Sequence, residues 1–285
     1  MFSQQTFCDS LQSHHDNLIL FSGKGSPTQP IGQRNAIHYW SLHDNKILRK
    51  FRGHTDQITS ISMCPADDSF LTSSLDRTVR LWTASQAGCL SELKLPEETV
   101  KSPLSAFDYT GLVFAVTAAM KGESKGYYLH LYDARNHVAG AFAELKVLEQ
   151  DIETAIQSHN NVAPDRAKEL SQAEWKSIKF NVAGDRILIC TEKGMSIILD
   201  GFTGAIQRII VGQNPTERNA VSCFTPDDET FLVGNDDGTI SCWNIQAGSV
   251  SKTLTGHVGP VSCIAANPKY NQIASACSQT AIWHW

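Results

Sequence analysis

Short apolar runs separated by polar, turn-forming residues recur along the chain. The clearest set occupies residues 58–63, 70–74 and 79–82, each rich in β-branched or aromatic side chains. Runs of this length, bounded by residues such as Gly, Pro and Asp, are typical of short antiparallel strands. The pattern therefore predicts an all-β fold assembled from small sheets.

This clearest stretch carries the marks of one WD repeat, the unit that forms a blade of a β-propeller. A Gly-His pair ending at His54 opens it, Asp76 precedes the third strand, and Trp82 closes that strand. The resemblance to WD repeats implies a hydrogen-bonded chain that joins His54 to Asp76 and Ser74 to Trp82. A catalytic His–Asp pair is the alternative interpretation, and we expect the structural role.

Further copies are marked by strands that end in Trp, or a substitute for it, before a polar turn. Their end residues are Trp40, Trp82, Tyr132, Leu199, Trp243 and Trp283, separated by 42, 50, 67, 44 and 40 residues. A WD repeat spans about 40–45 residues, so the longer intervals must contain insertions. The sequence therefore predicts one WD-repeat β-propeller domain over residues 1–285, with six recognisable blades.

The last two copies differ in how much of the WD pattern they keep. In the fifth copy, Asp237 precedes the strand that ends at Trp243. The sixth opens with His257 and closes with Trp283, but no Asp lies between residues 273 and 283. We expect these four residues to belong to structural networks, and the network of the last blade to differ from that of the second.

The strand pattern breaks over residues 148–174. Leu148, Ile152, Ala155 and Ile156 recur at helical spacing, and a second short helical stretch follows within residues 165–175. We expect a polar, partly helical insertion in the propeller. It is either an ornament or mobile loop, or a docking element for a partner.

Composition and charge exclude several classes of protein. The net charge is −5 and the pI about 6.0, so no global basic field favours nucleic acid or membranes. No run of 18 apolar residues is present, and residues 1–5 lack the pattern of a signal peptide. The eight cysteines include no CxxC pair, which favours reduced thiols in a nuclear or cytosolic protein.

Six of these cysteines fall in or beside strand-like runs, where cysteine serves as a small buried hydrophobe. They are Cys64, Cys190, Cys223, Cys242, Cys263 and Cys277.

The sequence contains no HExxH, GxSxG, GxGxxG or P-loop motif. We therefore predict that the protein is not an enzyme, with no catalytic residue, no cofactor and no metal site. A propeller enzyme with converging carboxylates or histidines in a central channel is an alternative, but the predicted channel-lining strands offer mainly Ser, Thr, Cys and apolar residues.

Acidic residues concentrate in the turns between the first and second strands of the blades. They are Asp16, Asp67, Asp68, Asp108, Asp185, Asp227, Asp228 and Glu229, against two basic residues, Arg186 and Lys269. In a propeller such turns lie at one end, which predicts an acidic face for a basic segment of a partner. The candidate contact residues are Asp67, Asp68, Asp227 and Asp228. The alternative is that these are only solvated turns.

Several stretches resemble the WD repeat-containing protein 82 family. They are residues 41–46, 51–54, 74–82 and 224–227, and most specifically residues 267–269 with 274–278, which share the loss of the turn Asp. The resemblance covers nearly the whole chain and is weakest over residues 148–174. Family members have seven blades, so the resemblance implies that a first blade is missing from this sequence.

The resemblance implies a non-catalytic nuclear scaffold. Such proteins join a COMPASS-type histone H3 lysine-4 methyltransferase to RNA polymerase II that carries a serine-phosphorylated tail. They also belong to complexes of a type-one protein phosphatase with its nuclear targeting subunit, which act in transcription termination and RNA 3′-end processing. The alternative is a cytoplasmic WD-repeat adaptor, such as a ubiquitin-ligase substrate receptor.

For a phosphopeptide, the candidate residues are Arg52 and Arg77. Both are basic and predicted to lie in loops, where a guanidinium can contact phosphate through two hydrogen bonds. Ordinary surface arginines are the alternative. We expect protein partners only, with no direct binding to nucleic acid or membranes.

Overall fold

The computed structural model describes residues 8–14, 17–23, 35–99, 101–120, 125–160, 162–212, 221–267 and 269–284. The chain divides into two compact units, Met1–Glu144 and Leu145–Trp285. Across the described ranges the strands form six antiparallel sheets. The prediction of an all-β fold with six blades is confirmed. Of the predicted acidic turn residues, Asp16 lies outside the described residues.

In the first unit, strands adjacent in sequence are adjacent in each sheet. The first sheet contains β1 (Cys8–His14), β2 (Leu18–Gly23), β3 (Ile37–Ser41) and β4 (Lys46–Phe51). The second contains β5 (Ile58–Met63), β6 (Ser69–Ser74), β7 (Thr78–Thr83) and β8 (Cys89–Lys94). The third contains β9 (Ser105–Phe107), β10 (Val113–Met120), β11 (Gly126–Asp133) and β12 (Ala143–Leu148), and the boundary between the two units falls within β12. A short 3₁₀ turn lies at His137–Ala139.

The second unit opens with two helices, α1 (Glu149–Asn160) and α2 (Pro164–Ser171). The fourth sheet contains β13 (Trp175–Phe180), β14 (Arg186–Thr191), β15 (Met195–Asp200) and β16 (Ile206–Val211). The fifth contains β17 (Val221–Phe224), β18 (Thr230–Gly234), β19 (Thr239–Asn244) and β20 (Ser249–Thr255). The sixth contains three strands, β21 (Cys263–Ala266), β22 (Gln272–Ala276) and β23 (Thr280–His284).

The six sheets repeat one register. Each strand-end residue identified in the sequence faces an Ile or Phe on the preceding strand. The pairs are Trp40 with Ile19, Trp82 with Phe70, Tyr132 with Phe114, Leu199 with Ile187, Trp243 with Phe231 and Trp283 with Ile273. In four sheets the ladder to the outer strand also shifts register at this residue. The weaker copies are therefore structural equivalents of the second.

The core of each unit lies between successive sheets. Phe51, Phe70 and Trp82 are completely buried in one cluster between the first and second sheets. In the second unit, Leu232 and Ile240 of the fifth sheet are buried with residues of the sixth. Because a sheet between two others is covered on both faces, the sequences of its middle strands are continuous apolar runs and do not alternate strictly between apolar and polar residues.

The insertion packs onto the second unit through a narrow apolar stripe. Ile152 and Ile156 of α1 are buried, and α1 contacts β16. Leu148, which the helical spacing had grouped with α1, instead ends β12. No helix in the described ranges is long and apolar enough to cross a membrane.

Ile156→Ala is expected to destabilise the second unit. Ile156 is 0% exposed, so truncation leaves a cavity against β16 and costs about 2–4 kcal/mol. Gln157→Ala, one residue away on the exposed face, is the matched control and should change stability by less than about 0.5 kcal/mol. The measurement is urea unfolding. Equal losses for the two variants would show that α1 is not packed on the sheet.

Candidate functional site

The Trp, His and Asp of the second sheet are joined through a threonine. The indole nitrogen of Trp82 donates to Thr72 Oγ1 over 2.8 Å, and the same hydroxyl lies 2.8 Å from His54 Nε2. On the other side of the ring, His54 Nδ1 lies 2.9 Å from Asp76 Oδ2. This hydrogen-bonded chain thus links the loop before β5 to strands β6 and β7 and to the turn between those two strands.

The donors and acceptors of this chain match one protonation pattern. The indole N–H can only donate, so Thr72 accepts from Trp82 and its own hydrogen is available to His54 Nε2. The carboxylate of Asp76 can only accept, so His54 Nδ1–H donates to it. A neutral imidazole therefore satisfies every member of the chain, which matters because an unpaired buried polar group costs about 1–3 kcal/mol.

Asp76 is held by more groups than the histidine. Its carboxylate accepts hydrogen bonds from the Thr55 N–H, the Thr78 N–H and the Thr78 hydroxyl. Burial alone would raise the pKa of Asp76, but the hydrogen bonds from His54 and Thr78 outweigh it and hold this pKa well below its usual value. The carboxylate is charged at neutral pH and closes a tight turn.

The predicted pairing of Ser74 with Trp82 is wrong. Ser74 instead donates to the carbonyl of Asp56 and accepts from the Asp76 N–H. The register explains the difference, because Trp82 lies opposite Phe70. The diagonal neighbour two residues along β6 is Thr72, within reach of the indole, whereas Ser74 lies about 13 Å along the strand from Phe70.

The glycine of each Gly-His pair lies close to the tryptophan ring of its sheet. A Cβ built on Gly53 would lie far too close to the Arg80 guanidinium and 3.2 Å from the Trp82 ring. A Cβ on Gly256 would lie 2.8 Å from the Trp283 ring. In the last sheet, therefore, the ring leaves no room for a side chain before the histidine.

The last sheet repeats this chain with two different residues. Trp283 donates its indole N–H to Ser275 Oγ over 2.7 Å, and Ser275 Oγ lies 2.6 Å from His257 Nε2. His257 Nδ1 lies 3.2 Å from Cys277 Sγ, so a thiol takes the place that Asp76 holds in the second sheet. The expectation of a different network in the last blade is thereby explained. Sequence reasoning missed Thr72, Ser275 and Cys277.

The expectation of buried cysteines holds for four of the six. Cys64, Cys190, Cys223 and Cys242 are buried, whereas Cys263 is exposed and Cys277 is partly exposed. The two exceptions lie in or beside the sixth sheet, at a strand start and in a turn. Among the described residues every cysteine is a free thiol.

In the fifth sheet, the described contacts of Asp237 are local. Its carboxylate accepts from the Thr239 N–H and the Thr239 hydroxyl. Trp243 stacks on Phe231 with ring centroids 6.4 Å apart. Residues 213–220, which precede β17, lie outside the described ranges, so the network predicted for Asp237 and Trp243 stays a prediction.

Arg52 and Arg77 are both exposed, in loops of the second blade. Arg77 has φ of 62°, a left-handed conformation that is uncommon for residues other than glycine. Its guanidinium Nη1 donates to the carbonyl of Glu97 over 2.8 Å. The structure thus orients one of the two candidate arginines.

Of the four candidate acidic residues, Asp67 and Asp227 hold their own turns. Asp67 accepts from the Ser69 N–H, and Asp227 accepts from Glu229 N–H and the Thr225 hydroxyl. Asp228 also reaches the neighbouring sheet, where its two carboxylate oxygens accept the N–H groups of residues 182 and 183. Asp68 is exposed in the same turn as Asp67.

No group of three or more His, Cys, Asp or Glu side chains within the described ranges is arranged to hold a metal ion. His54 is completely buried and Asp76 has 7% side-chain exposure. The strongest His–carboxylate pair predicted from the sequence is therefore closed to a substrate and serves to fasten strands.

Thr72→Val is expected to destabilise the second sheet. Valine has nearly the same shape, so the change leaves the Trp82 indole and His54 Nε2 without their partner at a cost of about 2–4 kcal/mol. Thr83→Val is the matched control, because the Thr83 hydroxyl at the end of β7 bonds only exposed Ser85 groups. Urea unfolding followed by tryptophan fluorescence measures both. Equal losses of unfolding free energy in the two variants would mean that the Trp82–Thr72–His54 hydrogen bonds do not stabilise the sheet.

Asp76→Asn is expected to give a pH-dependent loss of stability. The folded-state pKa of Asp76 lies below its unfolded value, so the carboxylate stabilises the fold above pH about 4 and this contribution is lost as the pH falls. The wild-type advantage should be about 1.5–3 kcal/mol at pH 7 and should shrink between about pH 5 and pH 3. Denaturant titrations at each pH test this. A difference that is unchanged at pH 3 would contradict the assignment.

Known proteins share both the repeat and the whole-chain pattern. The family model "WD domain, G-beta repeat" matches residues 45–83, 208–244 and 248–285. WD repeat-containing protein 82 of Drosophila melanogaster is 33% identical over 251 residues, which cover 87% of this chain and 70% of the relative.

Two yeast proteins are also similar. COMPASS component SWD2 of Saccharomyces cerevisiae is 29% identical, over 84% of this chain and 68% of the relative. Set1 complex component swd2 of Schizosaccharomyces pombe is 25% identical, over 79% of this chain and 55% of the relative. With the six blades, the Gly-His pairs and the hydrogen-bonded Trp–His chains, these similarities show that the chain belongs to the WD repeat-containing protein 82 family.

Proposed function

We propose that this protein is a non-catalytic WD-repeat scaffold subunit of a nuclear, Set1/COMPASS-type histone methyltransferase complex. The observation that carries the proposal is the similarity along most of the chain to two proteins named as components of such complexes. The burial of the His54–Asp76 pair supports the same conclusion, because a substrate cannot reach these two side chains.

The polar groups that most resemble a catalytic pair, His54 and Asp76, have all their hydrogen-bond partners inside the second blade. His54 has a partner on each ring nitrogen, and Asp76 accepts from four groups of its own blade. A general base needs an open position beside the proton that it removes. This pair offers none, which leaves the surface turns as the route to function.

The acidic turns support a contact surface in each unit. In the second unit, Asp228 ties the turn of the fifth sheet to the turn of the fourth, so Asp185, Asp227 and Glu229 lie on connected turns. In the first unit, Cys64 lies against Gly111, so the turns of Asp67 and Asp108 are also neighbours. Turns fixed in this way lose little conformational entropy when a partner binds.

A basic segment of a partner suits these turns. Asp67, Asp227 and Asp228 are each oriented by hydrogen bonds from backbone N–H groups. Carboxylates that are charged and already oriented favour Lys or Arg side chains and reject acidic ones.

The finer part of the proposal is a link between a methyltransferase or a phosphatase complex and RNA polymerase II. Arg77 supports a contact with a phosphorylated tail, because one nitrogen of its guanidinium is held by the carbonyl of Glu97. A guanidinium carries five donors, so others remain for phosphate oxygens. Arg52 is exposed in the same blade and would add a second positive charge.

The proposal is tested by affinity purification of the tagged full chain from nuclear and cytosolic extracts. The expected partners are subunits of a histone lysine methyltransferase complex, recovered from the nuclear extract. Recovery of cullin-type ligase subunits from the cytosol in their place would favour the cytoplasmic adaptor and overturn the proposal.

The same experiment with a charge-neutralised variant tests the acidic turns. The variant combines Asp67→Asn, Asp68→Asn, Asp227→Asn and Asp228→Asn, which removes four charges. Each Asn keeps one acceptor oxygen, so at position 228 only one of the N–H groups of residues 182 and 183 keeps its acceptor. We expect recovery of the partner to fall about fivefold or more at physiological salt.

Asp237→Asn is the control, because Asp237 lies in the turn at the opposite end of β18 from Asp227. Undiminished recovery with the fourfold variant would show that the acidic turns are only solvated. In that case the scaffold proposal would still stand on the identity of the partners.

A further inference from the structure

The turn between β22 and β23 places a thiol against an imidazole. Cys277 Sγ lies 3.2 Å from His257 Nδ1 and accepts the backbone N–H of Gln279 at 3.4 Å. The Ser278 hydroxyl lies 3.8 Å from the same sulfur. Three groups that can donate a hydrogen bond thus converge on one sulfur atom, an arrangement that favours the thiolate over the thiol.

The histidine is held in place from its other side. Trp283 donates to Ser275 Oγ, and that oxygen lies 2.6 Å from His257 Nε2. Nδ1 is therefore aimed at the sulfur by a chain that continues into the body of the sheet. A nucleophile, a base and a third group that orients the base form the arrangement by which enzymes and sensors activate cysteine.

Electrostatics and exposure agree with this geometry. The hydrogen bond from the Gln279 N–H, opposed by desolvation and assisted by Ser278 and His257, lowers the pKa of the Cys277 thiol to about 6. Burial has the opposite effect on Cys223 and Cys242, and raises the pKa of each thiol to about 11. Cys277 is also partly exposed, whereas those two are buried.

We propose that Cys277 and His257 form a reactive thiol–imidazole pair, and that Cys277 is the site in the last blade at which hydroperoxides oxidise the protein. The sulfur attacks one oxygen of hydrogen peroxide, so an S–O bond forms and the O–O bond breaks. Hydroxide leaves and is protonated by solvent. The sulfur is oxidised by two electrons to a sulfenic acid, and the peroxide is reduced by two.

The oxidation changes what holds the last blade. In the second sheet the histidine donates to a carboxylate, which peroxide does not alter. In the sixth sheet it donates to a sulfur, and a neutral sulfenic acid is a weaker acceptor than a thiolate. Oxidation thereby loosens the attachment of the loop at His257 to the turn at Cys277.

A second cysteine of the same sheet, Cys263, is an internal reference for measuring the reactivity of Cys277. Cys263 is exposed in the same sheet, and trypsin separates it from Cys277 because Lys269 lies between them. Peptides 253–269 and 270–285 then report each cysteine separately by mass spectrometry.

The first measurement is the rate of alkylation of the folded full chain by iodoacetamide from pH 5 to pH 9. The rate at Cys277 should be half-maximal near pH 6. At pH 6.5 it should be about fivefold faster than that of a free cysteine thiol, after allowance for the lower nucleophilicity of a more acidic thiol. A Cys277 rate that rises only above pH 8 would overturn the proposal.

The second measurement exposes the protein to hydrogen peroxide and traps sulfenic acid with dimedone. The label should appear on the peptide of Cys277 well before that of Cys263, and a dithiol reductant given before dimedone should remove it. Equal labelling of both cysteines would contradict the proposal.

Two variants separate reactivity from folding. His257→Gln should slow alkylation of Cys277 at pH 6.5, with circular dichroism and unfolding used to check the fold. Cys277→Asp should restore the carboxylate of the second blade, and peroxide should no longer increase hydrogen exchange of the backbone at residues 256–259. An increase as large as in the wild type would show that Cys277 is not the site. If His257→Gln fails to fold, the pH profile of the wild type still decides the question.

Discussion

One buried hydroxyl holds the second blade together. Thr72 accepts from the Trp82 indole and is placed to donate to His54, so two strands and a loop share a single oxygen atom. Each group in this hydrogen-bonded chain is fully buried or nearly so, and water therefore cannot replace a lost partner. The tryptophan, histidine and aspartate are therefore fixed by the need to satisfy one another. The glycine before the histidine lies against the Arg80 guanidinium and the tryptophan ring, which leave little room for a side chain.

This constraint also determines where function can lie. The side chains that satisfy each other inside the second blade have no capacity left for a substrate, and the turns at the strand ends carry the remaining charge. Several of these turns are rigid for the same reason that the interior is, because carboxylates such as Asp227 and Asp228 accept backbone N–H groups of their own and of the adjacent turn. A family member built in this way is suited to present fixed charged surfaces to other proteins.

The last sheet shows how far the same geometry tolerates a change of chemistry. Ser275 replaces Thr72 as the shared hydroxyl, and Cys277 replaces Asp76 beside the histidine. The spacing between the shared hydroxyl and the tryptophan is also shorter in the last sheet. Trp82 follows Thr72 by ten positions, and Trp283 follows Ser275 by eight. The hydrogen-bonded chain survives, but its last acceptor becomes a group that can be oxidised.

The sequence by itself determined the strands, the six blades and the helical insertion, because these follow from local periodicity and from tryptophans spaced by one repeat. The resemblance of the second blade to WD repeats also implied that His54 and Asp76 are partners. The sequence could not distinguish Thr72 from Ser74, because residues two apart on β6 share a face and only the register with β7 brings one of them to the indole. Likewise only the tertiary structure placed Cys277 against His257, because a shorter turn moves the thiol into a position that the sequence pattern reserves for an aspartate.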